Sequence, residues 1–218
     1  MTAIFTLLIL IALCACLVIG ARKTRAPMGW ILLITGLSVF AIRLQHEGPY
    51  ALPRDGDLRA AALALLLGGA LLSNWLGDEV RHPLFTKVAL AISPIVFFFA
   101  SYSTLAEFEE VVVLRATLES GKINDLRLWV VDIDGAAWVT MPRNKANANG
   151  LSETRVELLR HGSFHCMNAT RVDTFEVVAR AHRKRHEKYA IQRFATAIGV
   201  FGEVPAENIV ALRLEPCA

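Results

Sequence analysis

Residues 126–141 read LRLWVVDIDGAAWVTM, and this stretch decides the fold of the second half of the chain. Two runs rich in β-branched and aromatic residues, Leu126–Asp132 and Ala136–Met141, flank the dipeptide Asp134-Gly135. A two-residue hairpin loop needs positive φ angles, which Asp tolerates and Gly adopts freely, so the segment predicts a β-hairpin. Upstream, Val111–Leu118 predicts a strand by the same β-branched enrichment, and Gly121 marks the turn after it. Downstream, PRNKANANGLSET (residues 142–154) is a polar connector of small residues. Arg155–Arg160 and Ser163–Val172 predict a second hairpin about His161-Gly162. Asp173, with Glu176 three residues on, has the form of a capping box opening one long helix. That helix runs to about Ile198 with a break near Tyr189 or Ala190, and Gly199, Gly202 and Pro205 separate it from a last strand, Asn208–Leu214. Short antiparallel strands with a single late helix predict a small closed barrel holding its own core.

The first half has a different character. Of the chain's residues 54% are hydrophobic, and the mean hydropathy is +0.43. Nearly all of the excess lies before Leu105. Four apolar runs are expected to be transmembrane helices: Thr2–Ala21, Met28–Ile42, Ala60–Gly77 and Val88–Leu105. Twenty residues at about 1.5 Å each cover a hydrocarbon core of about 30 Å. The first run is followed, not preceded, by Arg22, Lys23 and Arg25, which is the wrong order for a cleaved secretory signal and predicts a retained helix. Gly68 and Gly69 suit close helix packing, and Pro94 is tolerated within a bundle. No Asp, Glu, Lys or Arg lies within any run, which argues against an ion or proton path. The organisation expected is a four-helix transmembrane domain, 1–106, and a barrel domain, 107–218, in the inner membrane with the lipid bilayer as partner.

Charge sets the expected orientation. Arg22, Lys23, Arg25, Arg81 and Lys87 outnumber Arg43, Arg54 and Arg59 on the opposite side, so the positive-inside count favours an outside barrel. Glu107, Glu109 and Glu110, without a basic neighbour in sequence, agree. Between Ala106 and Ala218 acids and bases balance, so the formal +3 comes from the helical half and nothing points to nucleic acid. Cys14, Cys16, Cys166 and Cys217 show no metal-ligand spacing. Cys166 and Cys217 can pair only if the domain faces an oxidising compartment.

The order LRLWVVDIDGAAWVTM, PRNKANANG, RVELLRHGSFHCMNATRV and then a helix carrying HEKY resembles the split β-barrel of flavin-binding oxidoreductases, namely the pyridoxamine-phosphate-oxidase-like proteins and the deazaflavin-dependent nitroreductases. The resemblance covers about Val111 to Leu214. It implies a cofactor, FMN or a deazaflavin, whose phosphate is gripped by Thr140, Arg143 and Lys145, with Asn149 at the following turn. Cations and hydroxyl donors at close range are what a phosphate requires. It places Tyr189 and Trp129 beside the cofactor ring, and it implies reduction of a small acceptor such as a quinone and a homodimer formed through the barrel. Two positions depart from the family pattern: the connector lacks a Trp, and the family's Asn-Pro is Asn149-Gly150 here. Those departures leave a second expectation open, a non-catalytic membrane protein whose barrel is an interaction module. No spacing singles out a nucleophile or base among His161, His165, His182 and His186. Trp129 and Trp138 also have the spacing of a cross-strand core pair.

Overall fold

The computed structural model describes residues 2–45, 55–73, 82–118 and 120–217. The chain divides into two compact units, with the break after Phe108. The helical unit contains α1 (Thr2–Ile19), α2 (Ala21–Leu44), α3 (Asp55–Leu72) and α4 (Pro83–Ala106). The second unit contains β1 (Val111–Thr117), β2 (Ile123–Ile133), β3 (Ala136–Pro142), α5 (Arg143–Ala148), β4 (Glu153–Arg160), β5 (Ser163–Val172), α6 (Phe175–Lys188), α7 (Ala190–Ala197) and β6 (Ile209–Pro216).

In the helical unit, α2 and α4, 24 residues each, are long and apolar enough to cross a membrane. The apolar stretches Thr6–Ile19 of α1 and Leu58–Leu72 of α3 are shorter. The expectation of four full spans is therefore corrected to two by length and composition. Gly20 ends α1, and α2 starts at Ala21 rather than Met28, so Arg22, Lys23 and Arg25 are helical rather than in a loop. The Asn74–Gly77 end of the third run, and Glu47, Arg54 and Arg81, lie outside the described residues.

Small residues bring α2 and α3 together. A Cβ on Gly68 would stand 2.8 Å from the Gly29 carbonyl oxygen, and one on Gly36 would stand 3.0 Å from that of Ala61. Gly29 and Gly36 are seven residues apart, two helical turns, so both face α3. Gly69 was expected to share this role, but a Cβ there meets nothing within 4 Å. Leu32, Ala64, Leu67, Leu71, Leu90 and Ala100 form the bundle core. Arg43, at the C-terminal end of α2, pairs with Glu107 just past α4 at 3.0 Å with both side chains buried, so α2 and α4 run parallel. Cys14 donates to the Ala91 carbonyl at 3.1 Å, joining α1 to α4. The outward faces stay apolar: Leu8, Trp30, Ile34, Leu66 and Phe99 are all more than half exposed.

The six strands close an antiparallel barrel in the order β1-β2-β3-β6-β5-β4. The register pairs Val111 with Trp129, Val131 with Trp138, Val139 with Leu212, Ala169 with Leu214, and Leu114 with Leu158. Strand alternation then sets the core: Val112 and Leu114, Leu128 and Val130, Val139 and Met141, Leu212 and Leu214 all point inward. Both expected hairpin turns form. Asp134 and Gly135 have φ of 51° and 79°, and His161 and Gly162 have 51° and 81°, the two positive angles of a two-residue loop matched to strand twist.

The break expected near Tyr189 or Ala190 forms, with Tyr189 extended between α6 and α7. Two local expectations change. The connector after β3 contains the short helix α5, because Ala146 and Leu151 bury into the barrel core. In addition, α6 opens at Thr174 with no side-chain cap, because the Asp173 carboxylate is taken by Arg171 at 2.9 Å.

Gly68→Leu is expected to lower the temperature at which the helical circular dichroism of the detergent-solubilised protein melts, since the new side chain meets backbone that cannot yield; overpacking of this kind costs about 1–3 kcal/mol or more. Gly69→Ala serves as the control and should leave the melt unchanged or slightly raised.

Candidate functional site

The alternation that fills the barrel also builds an outer face. Trp129, Val131 and Ile133 on β2 and Trp138 on β3 point away from the core, and Val178, Ala181 and Tyr189 cover them. Trp129 and Tyr189 stack with ring centroids 5.7 Å apart. Tyr189 is buried, and the helix break that holds it explains its reach. Its extended backbone turns the side chain out of the helical row and down onto β2. There the hydroxyl accepts the Val130 N–H at 3.0 Å and shares its proton between the carbonyls of Val130 (2.7 Å) and Glu110 (3.0 Å). Burial pushes the phenol well above its ordinary range, so Tyr189 is neutral near pH 7.

Thr140 lies on the same outer face, and its hydroxyl receives Arg185 Nη1 at 2.8 Å. Arg185 Nη2 approaches His182 Nδ1 at 3.1 Å. A guanidinium only donates, so His182 Nδ1 is the acceptor and its proton sits on Nε2, which faces the Gly202 carbonyl at 3.3 Å. Burial, with Arg185 beside it, pushes the His182 imidazole down to about 4. His186 stacks on it with centroids 4.3 Å apart and is pushed down by the same two causes. Its Nδ1 contacts the Thr196 hydroxyl at 3.2 Å, while its Nε2 is buried without a hydrogen-bond partner among the described residues. Two histidines one turn apart could begin a metal site, but no group of three His, Cys, Asp or Glu positioned to hold an ion occurs among the described residues.

Arg143 and Lys145 are elsewhere, on α5 at the end of β3. Arg143 is exposed, and its N–H donates to the Asn208 carbonyl at 2.7 Å. Asn149 caps α5: its side chain donates to the Lys145 carbonyl at 2.8 Å and accepts from Asn124 at 3.0 Å. Of the five residues expected to hold a cofactor, the structure gathers Thr140, Trp129 and Tyr189 on the outer face beneath α6, and it places Arg143 and Lys145 on the helix that plugs one barrel end.

The opposite barrel end carries a charge network that sequence reasoning missed. Arg160 donates Nε to Glu110 and both Nη groups to Asp132, each at 2.7 Å. Lys188 contacts Glu110 and donates to the Val130 carbonyl at 2.8 Å. Burial alone would raise the Glu110 carboxyl, but hydrogen bonds from Arg160 and Lys188 outweigh it and hold the group below its usual range. The hydrogen bond from Arg160 does the same for Asp132. Glu109 belongs to the same junction, accepting the Ile191 N–H at the start of α7 at 2.9 Å. A signal for this was present: Asp132 and Arg160 fall on the inward parity of strands whose other inward residues, Leu128, Val130, Val156 and Leu158, are apolar. Beside them a disulfide joins Cys166 to Cys217, with Cα atoms 5.5 Å apart. No family model and no curated protein matches the chain.

Tyr189→Phe should destabilise the barrel by about 1–3 kcal/mol, the cost of leaving buried backbone groups short of a partner, read as a shift in denaturant midpoint. The His182 pair should impose a pH dependence of defined sign. Between about 6.5 and about 4 the unfolded chain binds a proton that folded His182 refuses, so stability present above that window is lost as pH falls through it. Thermal melts across it should show the slope in the native protein, and His182→Gln should flatten it.

Proposed function

We propose that the protein is a membrane-anchored module whose barrel stands on the oxidising face of the inner membrane and works by binding rather than by catalysis. All four helices lie in the bilayer in this reading. The lengths of α2 and α4 and the apolar outward faces of all four helices support it. A side chain such as Trp30 or Ile34 left in water would forfeit about 25 cal/mol for each Å² of apolar surface, and lipid removes that penalty. Two observations support the outside orientation: the basic cluster Arg22, Lys23 and Arg25 at the start of α2, and the Cys166–Cys217 disulfide, a bond that persists in oxidising compartments.

The observation that carries binding over catalysis is the engagement of Thr140 and Tyr189. The Thr140 hydroxyl, which the resemblance would assign to a cofactor phosphate, is bonded to Arg185, and Tyr189, which it would place beside the ring, is bonded to the backbone of Val130 and Glu110. A second reading keeps the oxidoreductase, with FMN or a deazaflavin passing a hydride to a small acceptor such as a quinone. The exposed Arg143 on α5, beside Lys145, favours it, since a phosphate could reach that cation without displacing the outer layer.

The test is a titration of the folded, detergent-purified full-length protein with FMN and with a deazaflavin, followed by absorption and fluorescence. The expected result is no change in either cofactor spectrum. Micromolar binding that disappears in Lys145→Ala would instead establish the second reading.

A further inference from the structure

The two barrel ends are unlike. At one, α5 closes the core with Ala146 and Leu151. At the other, between the tips of both hairpins and the end of β6, lies a pocket of about 560 Å³, within the size range of small-molecule sites. Its floor is the near end of the buried core, Ala137, Leu158, Met167 and Leu214. Its rim carries Asp132, Arg160 and His165, and the Cys166–Cys217 disulfide forms part of the wall.

The rim chemistry defines what the pocket can hold. At the rim Arg160 meets Asp132, and behind it Arg160 and Lys188 both meet Glu110, so two positive charges balance two negative ones. A ligand with a full charge of either sign would meet repulsion as well as attraction. Arg160 spends three of its N–H groups on those carboxylates. A guanidinium has five, so two remain for an oxygen acceptor. Fixed in place by Glu110 and Asp132, the guanidinium lines the pocket above an apolar floor, so little ordering is lost when it receives a neutral oxygen.

We propose that this mouth binds a neutral amphiphile, with an aromatic or short aliphatic body on Ala137, Leu158, Met167 and Leu214 and a carbonyl oxygen accepting from Arg160. The assignment rests on the reading of the barrel as a binding module and names its ligand class. It uses none of the residues the resemblance assigns to a cofactor.

The disulfide in the wall supplies a local readout that probe dissolved elsewhere in the lipid does not disturb. Full-length protein in nanodiscs is treated with a water-soluble phosphine, with and without 2-acetonaphthone, a neutral bicyclic ketone. Cys166 and Cys217 are then alkylated and quantified by mass spectrometry. The ketone should slow reduction saturably, by about tenfold when nine-tenths of the sites are filled, since only the empty form reacts. Arg160→Lys, which keeps the charge but loses the planar fork, should raise the half-protecting concentration about tenfold. His165→Trp, at an exposed rim position, should narrow the mouth and weaken protection without touching the core. 2-Ethylnaphthalene, which lacks the oxygen, should protect more weakly than the ketone by a similar factor. An unchanged reduction rate at saturating ketone, or equal protection by ketone and hydrocarbon with no effect of Arg160→Lys, would overturn the ligand class while leaving the binding-module reading in place. If FMN rather than the ketone bound in the parallel cofactor titration, the module reading would fall with it.

Discussion

One hydroxyl group organises the second unit. Tyr189 OH lies among three backbone partners, the N–H and C=O of Val130 and the C=O of Glu110, and so ties the end of α6 to β2 and to the start of β1. Its position depends on a single non-helical residue between α6 and α7. If the helix ran straight, the side chain would follow the helical row and the ring would leave Trp129. The break also brings Lys188 to Glu110 and the Ile191 N–H to Glu109, so three consecutive segments of the outer layer hold the first residues of the barrel. The phenol's raised pKa expresses the same fact electrostatically: this buried site tolerates a neutral donor and acceptor and disfavours an anion.

Much of the barrel was legible because its signals are local. Asp134-Gly135 and His161-Gly162 announce two-residue turns, and the period-two runs beside them give strand identity and face. What failed was whatever depends on neighbours distant in sequence. Asp173 has the form of a helix cap, yet Arg171 on the preceding strand captures its carboxylate. Residues 143–148 look like a polar connector, yet the open barrel end takes Ala146 and Leu151 and makes a helix of them. Glu107 and Glu110 have no basic neighbour in sequence, yet Arg43 and Arg160 reach them from 64 and 50 residues away. In the helical unit Gly68 was readable as a packing residue, but its counterparts Gly29 and Gly36 matter only once α2 and α3 are known to face one another.

The candidate site divides along the same line. Thr140, Trp129 and Tyr189 do converge, since strand alternation places the first two on one face and the break after α6 supplies the third. Arg143 and Lys145 follow Thr140 closely in sequence, but the chain turns into α5 between them, and this separates the cations from the aromatic pair. Proximity in sequence across the end of a strand is a poor guide to proximity in space. The inward pair Asp132 and Arg160, by contrast, meets from two different hairpins, because β2 and β4 both pair with β1.

That order has a consequence for how the molecule is made. Without β6, the remaining strands form an open sheet, β5-β4-β1-β2-β3, whose outer strands both present unpaired backbone groups. β6 pairs with β3 on one side and β5 on the other, so a single late strand removes both edges at once. Until it arrives, the sheet is a template for pairing with any other extended chain, and its closure is a slow, non-local event. The bond from Cys166 to Cys217, 51 residues apart, fastens that strand to its neighbour at the point where it finishes, so oxidation fixes the assembled barrel rather than guiding its first steps.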